Sequence, residues 1–144
     1  MSQLIFVNLP VFDVQRSRKF FAALGFTFDE RFSGPTSLCV VVSEQIYLMA
    51  LDHASFAGFA PRPLADPSKT TSALIALSRD GRDAVDGMMT AALAHGGTDN
   101  GKVQEMGDYM YGRSFSDPDG NVFEPMWMDL DKAMQVWGQA WGQA

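Results

Sequence analysis

One order of elements runs through this chain twice, and that repetition constrains its fold more than any other feature. Residues 4–11 alternate as a strand, with Ile5, Val7, Leu9 and Val11 on one face and Leu4, Phe6, Asn8 and Pro10 on the other. Asp13 can cap the helix that follows, whose Val14, Ser17, Phe21 and Leu24 share one side and which Gly25 ends. Strands are expected over 26–32, 36–42 and 46–51. At residue 71 the order restarts: a strand over 71–77, then a helix capped by Asp80, with Val85, Met88, Met89 and Ala92 along its face. Gly96 and Gly97 end that helix, and strands follow over 102–106, 110–116 and 122–128. The layout is βαβββ twice, over 1–51 and 70–128, in an α+β fold. A four-stranded sheet with one helix covers only one face. Two such units therefore curve toward each other, as one mixed sheet around a cavity.

The segment between the units, 52–69, holds three of the seven prolines and reads as a linker or lid, with one helical turn at 54–59 that carries Phe56 and Phe59. The C-terminal segment, 129–144, reads as a helix with Met134, Trp137 and Trp141 at helical spacing. A length of 144 residues suits one domain. A net charge of −6 argues against a nucleic-acid backbone as partner, and the basic Arg16, Arg18 and Lys19 read as a solvated helix face. The single cysteine, Cys39, excludes an internal disulfide, reads as an inert core thiol and fits a reducing compartment. The first residues read directly as strand, with no leader-like pattern and no membrane span. A cytoplasmic protein with no membrane partner is expected.

The last hairpin carries the chemistry. Asp117-Pro118-Asp119-Gly120-Asn121 is strong turn sequence, since Pro sets φ, Gly supplies positive φ, and Asp and Asn bond their own backbone. The strand that leaves it is apolar except for Glu124. A carboxylate there requires a partner, a metal or a wet cavity.

Three stretches together resemble the vicinal oxygen chelate superfamily: glyoxalase I, the bleomycin- and fosfomycin-resistance proteins and the extradiol dioxygenases. They are the strand and helix from Leu9-Pro-Val-Phe-Asp to Ala22-Ala23-Leu24-Gly25-Phe26, the paired βαβββ layout, and the hairpin from Tyr111-Gly112-Arg113 to Val122-Phe123-Glu124. The chain is most similar to small bacterial proteins of the lactoylglutathione lyase type. The resemblance implies a small-molecule ligand, a homodimer, and a divalent metal (Zn, Ni or Mn) held by residues of the first and last strands of the paired units. Such a metal would act as a Lewis acid on two vicinal oxygens. Carried over position by position, Glu124 matches the last ligand, which makes it the candidate catalytic and metal-binding residue. The other positions fall on Phe6, Leu48 and Ser72, none of them a good ligand. An iron site of two histidines and one carboxylate is not expected either. His95 ends the second helix, where an imidazolium suits the helix dipole, and His53 sits at the mouth of the linker.

Strand alternation places Phe6, Asn8, Leu48, Ser72, Glu124 and Met126 on the concave face, together with Leu74, Ala50 and Met128. Tyr111 and Arg113 share one face of the strand before the hairpin. If that face is the cavity, Arg113 can take a substrate carboxylate; if not, it pairs with Asp117 or Asp119. Glu124 has three readings: a metal ligand, a hydrogen-bonding partner of Asn8, Ser72 or a tyrosine, or a general base. Three functions follow: a glyoxalase-type lyase or isomerase with a metal, a metal-free protein that sequesters a small molecule, and a module whose cavity is filled in.

Overall fold

The computed structural model describes residues 2–142. The elements run β1 (Ile5–Val11), α1 (Val14–Ala23), β2 (Thr27–Phe28), β3 (Ser37–Val41), β4 (Ile46–Asp52), α2 (His53–Phe59), β5 (Leu74–Ser78), α3 (Arg82–Ala94), β6 (Thr98–Met106), β7 (Met110–Ser116), β8 (Val122–Met128) and α4 (Leu130–Gly142). They form two four-stranded mixed sheets, ordered β1-β4-β3-β2 and β5-β8-β7-β6. In each sheet the first and last strands of the unit pair in parallel, Val7 with Leu48 and Ile75 with Phe123, and the remaining pairs are antiparallel.

Several boundaries differ from the sequence reading. The expected strand over 26–32 is cut to Thr27–Phe28 because Asp29 caps a short 3₁₀ turn, Glu30–Phe32, by accepting from the Arg31 backbone N–H. The N-cap of α3 is Gly81, without a side-chain cap bond, where Asp80 was expected. Strand β6 begins at Thr98 and keeps pairing past a bulge between Asp99 and Val103, where Gly101 adopts a φ of +72°. Helix α1 keeps its expected cap: the Asp13 Oδ1 accepts from the Gln15 N–H at 2.9 Å. Among the residues expected on the C-terminal helix, Met134 is exposed, the Trp141 side chain lies outside the described residues, and so do residues 143 and 144.

Both sheets and helices α1 and α3 share a core. Helix α1 buries Val14, Ser17, Phe20 and Phe21, and α3 buries Val85, Met88, Met89 and Ala92. Phe20 lies 6.0 Å from Phe115 of β7, and Phe21 lies 5.7 Å from Phe123 of β8, so the first unit's helix reaches the second unit's sheet. Phe115 and Phe123 stack on each other at 5.5 Å. Two rings from each unit thereby close a single apolar cluster.

Candidate functional site

The hairpin turn sets where Glu124 points. The Asp117 Oδ1 accepts the backbone N–H groups of Asp119 and Asn121, both at 2.9 Å, and the Asn121 side chain donates to Asp117 Oδ2 at 3.0 Å. The Asn121 amide also donates to the Pro10 carbonyl of β1 at 3.1 Å. Asp119 accepts from the Phe12 N–H and from the Arg16 guanidinium, both at 2.8 Å. The turn is thus pinned to the junction of β1 and α1. Burial pushes the Asp117 carboxyl up to about 6, against the pull of its donors.

From this turn β8 starts with Val122, turns Phe123 into the core and leaves Glu124 on the opposite face, beside Ala76 of β5. Glu124 lines a cavity of ≈ 540 Å³ on the concave side of the second sheet. Its apolar part includes Leu74 and Val122; Ser114 and Ser116 of β7 supply hydroxyls; Asn100, Lys102 and Gln104 come from β6. The linker residues Pro67, Ser68 and Lys69, with Thr70 after them, form its rim. Gly120 joins rim to turn: at φ +102°, an added Cβ would lie 2.5 Å from the Pro67 carbonyl oxygen. Asn100 donates to Ser114 at 2.9 Å and accepts from Ser116 at 3.1 Å, which orders the polar wall between β6 and β8.

The other expected site residues do not gather around Glu124. Asn8 and Ser72 line a second cavity, ≈ 300 Å³, in the seam between β1 and β5 under the proline-rich linker. Asn8 also lines a third, ≈ 440 Å³, with Leu51, Phe56, Phe59 and Pro61. Phe6 stacks on Tyr47 at 4.9 Å and is 47% exposed. Met126 shares the face of Glu124 but lies against Gly112, outside the cavity lining.

Three expectations are corrected. Leu48 does not face a cavity on the concave side: it pairs with Val7 on the helix-facing side and is 1% exposed in the core. Tyr111 and Arg113 lie on the helix-facing side of β7. There the Tyr111 hydroxyl donates to Asp86 of α3 at 2.6 Å, and Arg113 bonds Asp86 at 3.3 Å and Asp99 at 2.8 Å. Neither Asp117 nor Asp119 takes Arg113. The bond to Asp86 raises the Tyr111 phenol above its ordinary value and makes it a structural donor. The physical reason is parity: Phe115, two residues after Arg113, is a core residue, so every second residue back along β7 faces α3.

Lys69, Lys102, Asn100 and Gln104 were missed. The alternation of Asn100, Lys102 and Gln104 on one face of β6 was the available signal, obscured by Gly101 and the bulge beside it.

Comparison with known proteins agrees with this architecture. Residues 3–43 match the family described as bleomycin resistance protein-like N-terminal. Among curated proteins, none matches the chain. A hypothetical protein from S. aureus, SA1046, superposes with a TM-score of 0.73 at 23% identity, over 88% of this chain and 95% of that one. A glyoxalase/bleomycin resistance protein/dioxygenase family enzyme from Burkholderia phytofirmans gives 0.72 at 21% identity, over 88% and 99%. A glyoxalase-related enzyme from Fulvimarina pelagi gives 0.73 at 17% identity, over 88% of each chain. The chain has the glyoxalase-like fold.

The metal ion that the resemblance implies does not fit the residues present. The two units share one strand layout, each with its first strand paired in parallel to its last. Aligning Val7–Leu48 with Ile75–Phe123 makes Met49 the counterpart of Glu124 and Leu74 the counterpart of Phe6. The sequence reading had Leu48 and Ser72 at these places, one residue and two residues off. The corrected set, Phe6, Met49, Leu74 and Glu124, contains one hard ligand. Among the described residues no group of three His, Cys, Asp or Glu side chains could hold a metal. His53 starts α2, with its ring edge-on to Phe12 at 6.3 Å, and the His95 Nδ1 bonds the Ala91 carbonyl at 2.8 Å. The cavity lining that Glu124 shares includes hydroxyls, amides and the lysines Lys69 and Lys102, beside the apolar Leu74 and Val122.

Proposed function

We propose that the protein binds a small molecule in the Glu124 cavity and does so without a resident metal ion. One observation supports this reading above the others. A cavity of ≈ 540 Å³ has one carboxylate in its lining, and around it stand lysines, amides and hydroxyls in place of metal ligands. That composition, a partly apolar floor with a few directed polar groups, is the usual make-up of a ligand site. The bleomycin resistance protein-like match over residues 3–43 points the same way, toward a protein that captures its ligand.

A glyoxalase-like lyase or isomerase is the second reading, and Glu124 favours it by standing at the superfamily's last ligand position. The two readings separate on metal dependence. Thermal shift over a broad small-molecule panel is expected to give stabilisation that EDTA leaves unchanged. A ligand at a hundred times its Kd would add about 2.7 kcal/mol. Stoichiometric Zn, Ni or Mn in the purified protein, with ligand stabilisation lost in EDTA, would transfer the case to the lyase.

A further inference from the structure

We propose that the ligand of the Glu124 cavity is a small zwitterion, with its cationic group on Glu124 and its anionic group on Lys102 and Lys69. This inference rests on the cavity being a ligand site, and it goes further by naming the ligand's charge pattern.

The fold leaves a few charges of the cavity without ion-pair partners. Of the carboxylates near the hairpin, Asp119 is taken by Arg16, and Asp99 is taken by Arg113. Asp117 is spent within the turn, and Asp66 accepts from Ser68 at 2.6 Å. Glu124 is the one carboxylate in the cavity lining, and Lys69 and Lys102 are its cations. All ion pairs among the described residues run between other partners.

The register then sets the spacing. Gly112 pairs with Met126, and Phe115 with Phe123, so Ser114 lies across from Glu124. On its other side, Ser114 meets the bulge of β6 through its bond from Asn100, next to Lys102. Glu124, Ser114, Asn100 and Lys102 therefore follow one another across the strands of the sheet. Glu124 and Lys102 stand two strands apart, about 10 Å between strand axes at the usual spacing. The space between them is walled by neutral donors and acceptors and floored by Leu74 and Val122. A simple cation would meet the two lysines, and a simple anion would meet Glu124 inside a protein of net charge −6. A molecule with both charges at its two ends satisfies both walls.

The test uses the intact protein and the series of ω-amino acids from glycine to 6-aminohexanoate. Each is compared with the alkylamine and the carboxylate of equal length, by amide NMR titration at low ionic strength. At least one zwitterion should bind about 10-fold or more tightly than both of its singly charged analogues, the loss expected for one charge-assisted hydrogen bond. Glu124→Gln should reduce that zwitterion to the affinity of the carboxylate alone. The double variant Lys69→Gln/Lys102→Gln should reduce it to that of the amine alone. All three side chains are outside the core, and an unchanged amide spectrum elsewhere confirms that the variants fold. Equal binding of zwitterion and singly charged analogues overturns the inference, as does indifference to Glu124→Gln. If neutral panel compounds shift the cavity's resonances while no zwitterion does, the charge pattern is wrong and the ligand site stands. If nothing shifts them, both fall.

Discussion

At the residue scale, the hairpin turn does more than reverse the chain. Asp117, Asp119 and Asn121 each bond outside their own positions, and two of the three reach the first unit. Asp117 is the pH-sensitive member. Its carboxyl titrates near 6 in the fold and at 3.8 as a free group, so the folded state holds the proton more tightly. That contribution is complete below the lower value and is lost as pH rises through the higher one, up to about 3 kcal/mol in all. Urea unfolding between pH 4 and 7 should show wild-type stability declining relative to Asp117→Asn, which cannot titrate. Parallel curves for the two proteins would remove Asp117 as the cause. Gly120 is constrained twice, by its positive φ and by the Pro67 carbonyl. Gly120→Ala is expected to cost about 1–3 kcal/mol in the same measurement, and to loosen the rim of the Glu124 cavity. A cost within about 0.5 kcal/mol, ordinary for a surface change, would mean that the rim and the turn are not locked together.

At the scale of elements, α1 joins the units through adjacent phenylalanines. The sequence pattern identified Phe21 as a core residue and passed over Phe20, which is 1% exposed. Phe20 sits off the stripe that faces its own sheet, and its burial comes from Phe115 of the other one. Phe20→Ala should therefore cost about 3–5 kcal/mol, as much as a residue on the expected stripe. A cost below about 1 kcal/mol would place Phe20 at the margin of the core. The cap of α1 is local: Asp13→Ala should cost about 1 kcal/mol, read as a change in the denaturation midpoint. Most of the elements were legible in the sequence because alternation and caps act over a few residues. Strand β6 was read short because a bulge with a left-handed glycine breaks the period that identifies a strand. The face of β7 was left open because its Tyr111 and Arg113 are polar on the side turned toward α3. The parity set by the core residue Phe115 decides that face, and Asp86 of α3 supplies the partner that makes polar residues acceptable there.

At the scale of the whole molecule, the core shared by the two sheets predicts one unfolding unit. Near-UV and far-UV circular dichroism should melt together, with the calorimetric enthalpy equal to the van't Hoff enthalpy. Two resolved transitions would show that the units fold apart. The repeated layout, the α+β class and the lone carboxylate after the turn were determined by the sequence itself, because each depends on short-range periodicity and turn chemistry. Which residues share a cavity with Glu124 was decided by the tertiary structure. The pairing of β5 with β8 and of β1 with β4 sets the parity of each strand, and a one-residue slip moves every side chain to the other face. That slip carried Leu48 into the core. The opposite parity of β7 placed Arg113 under α3, and the rim and bulge put Lys69 and Lys102 in the lining of the cavity that holds Glu124.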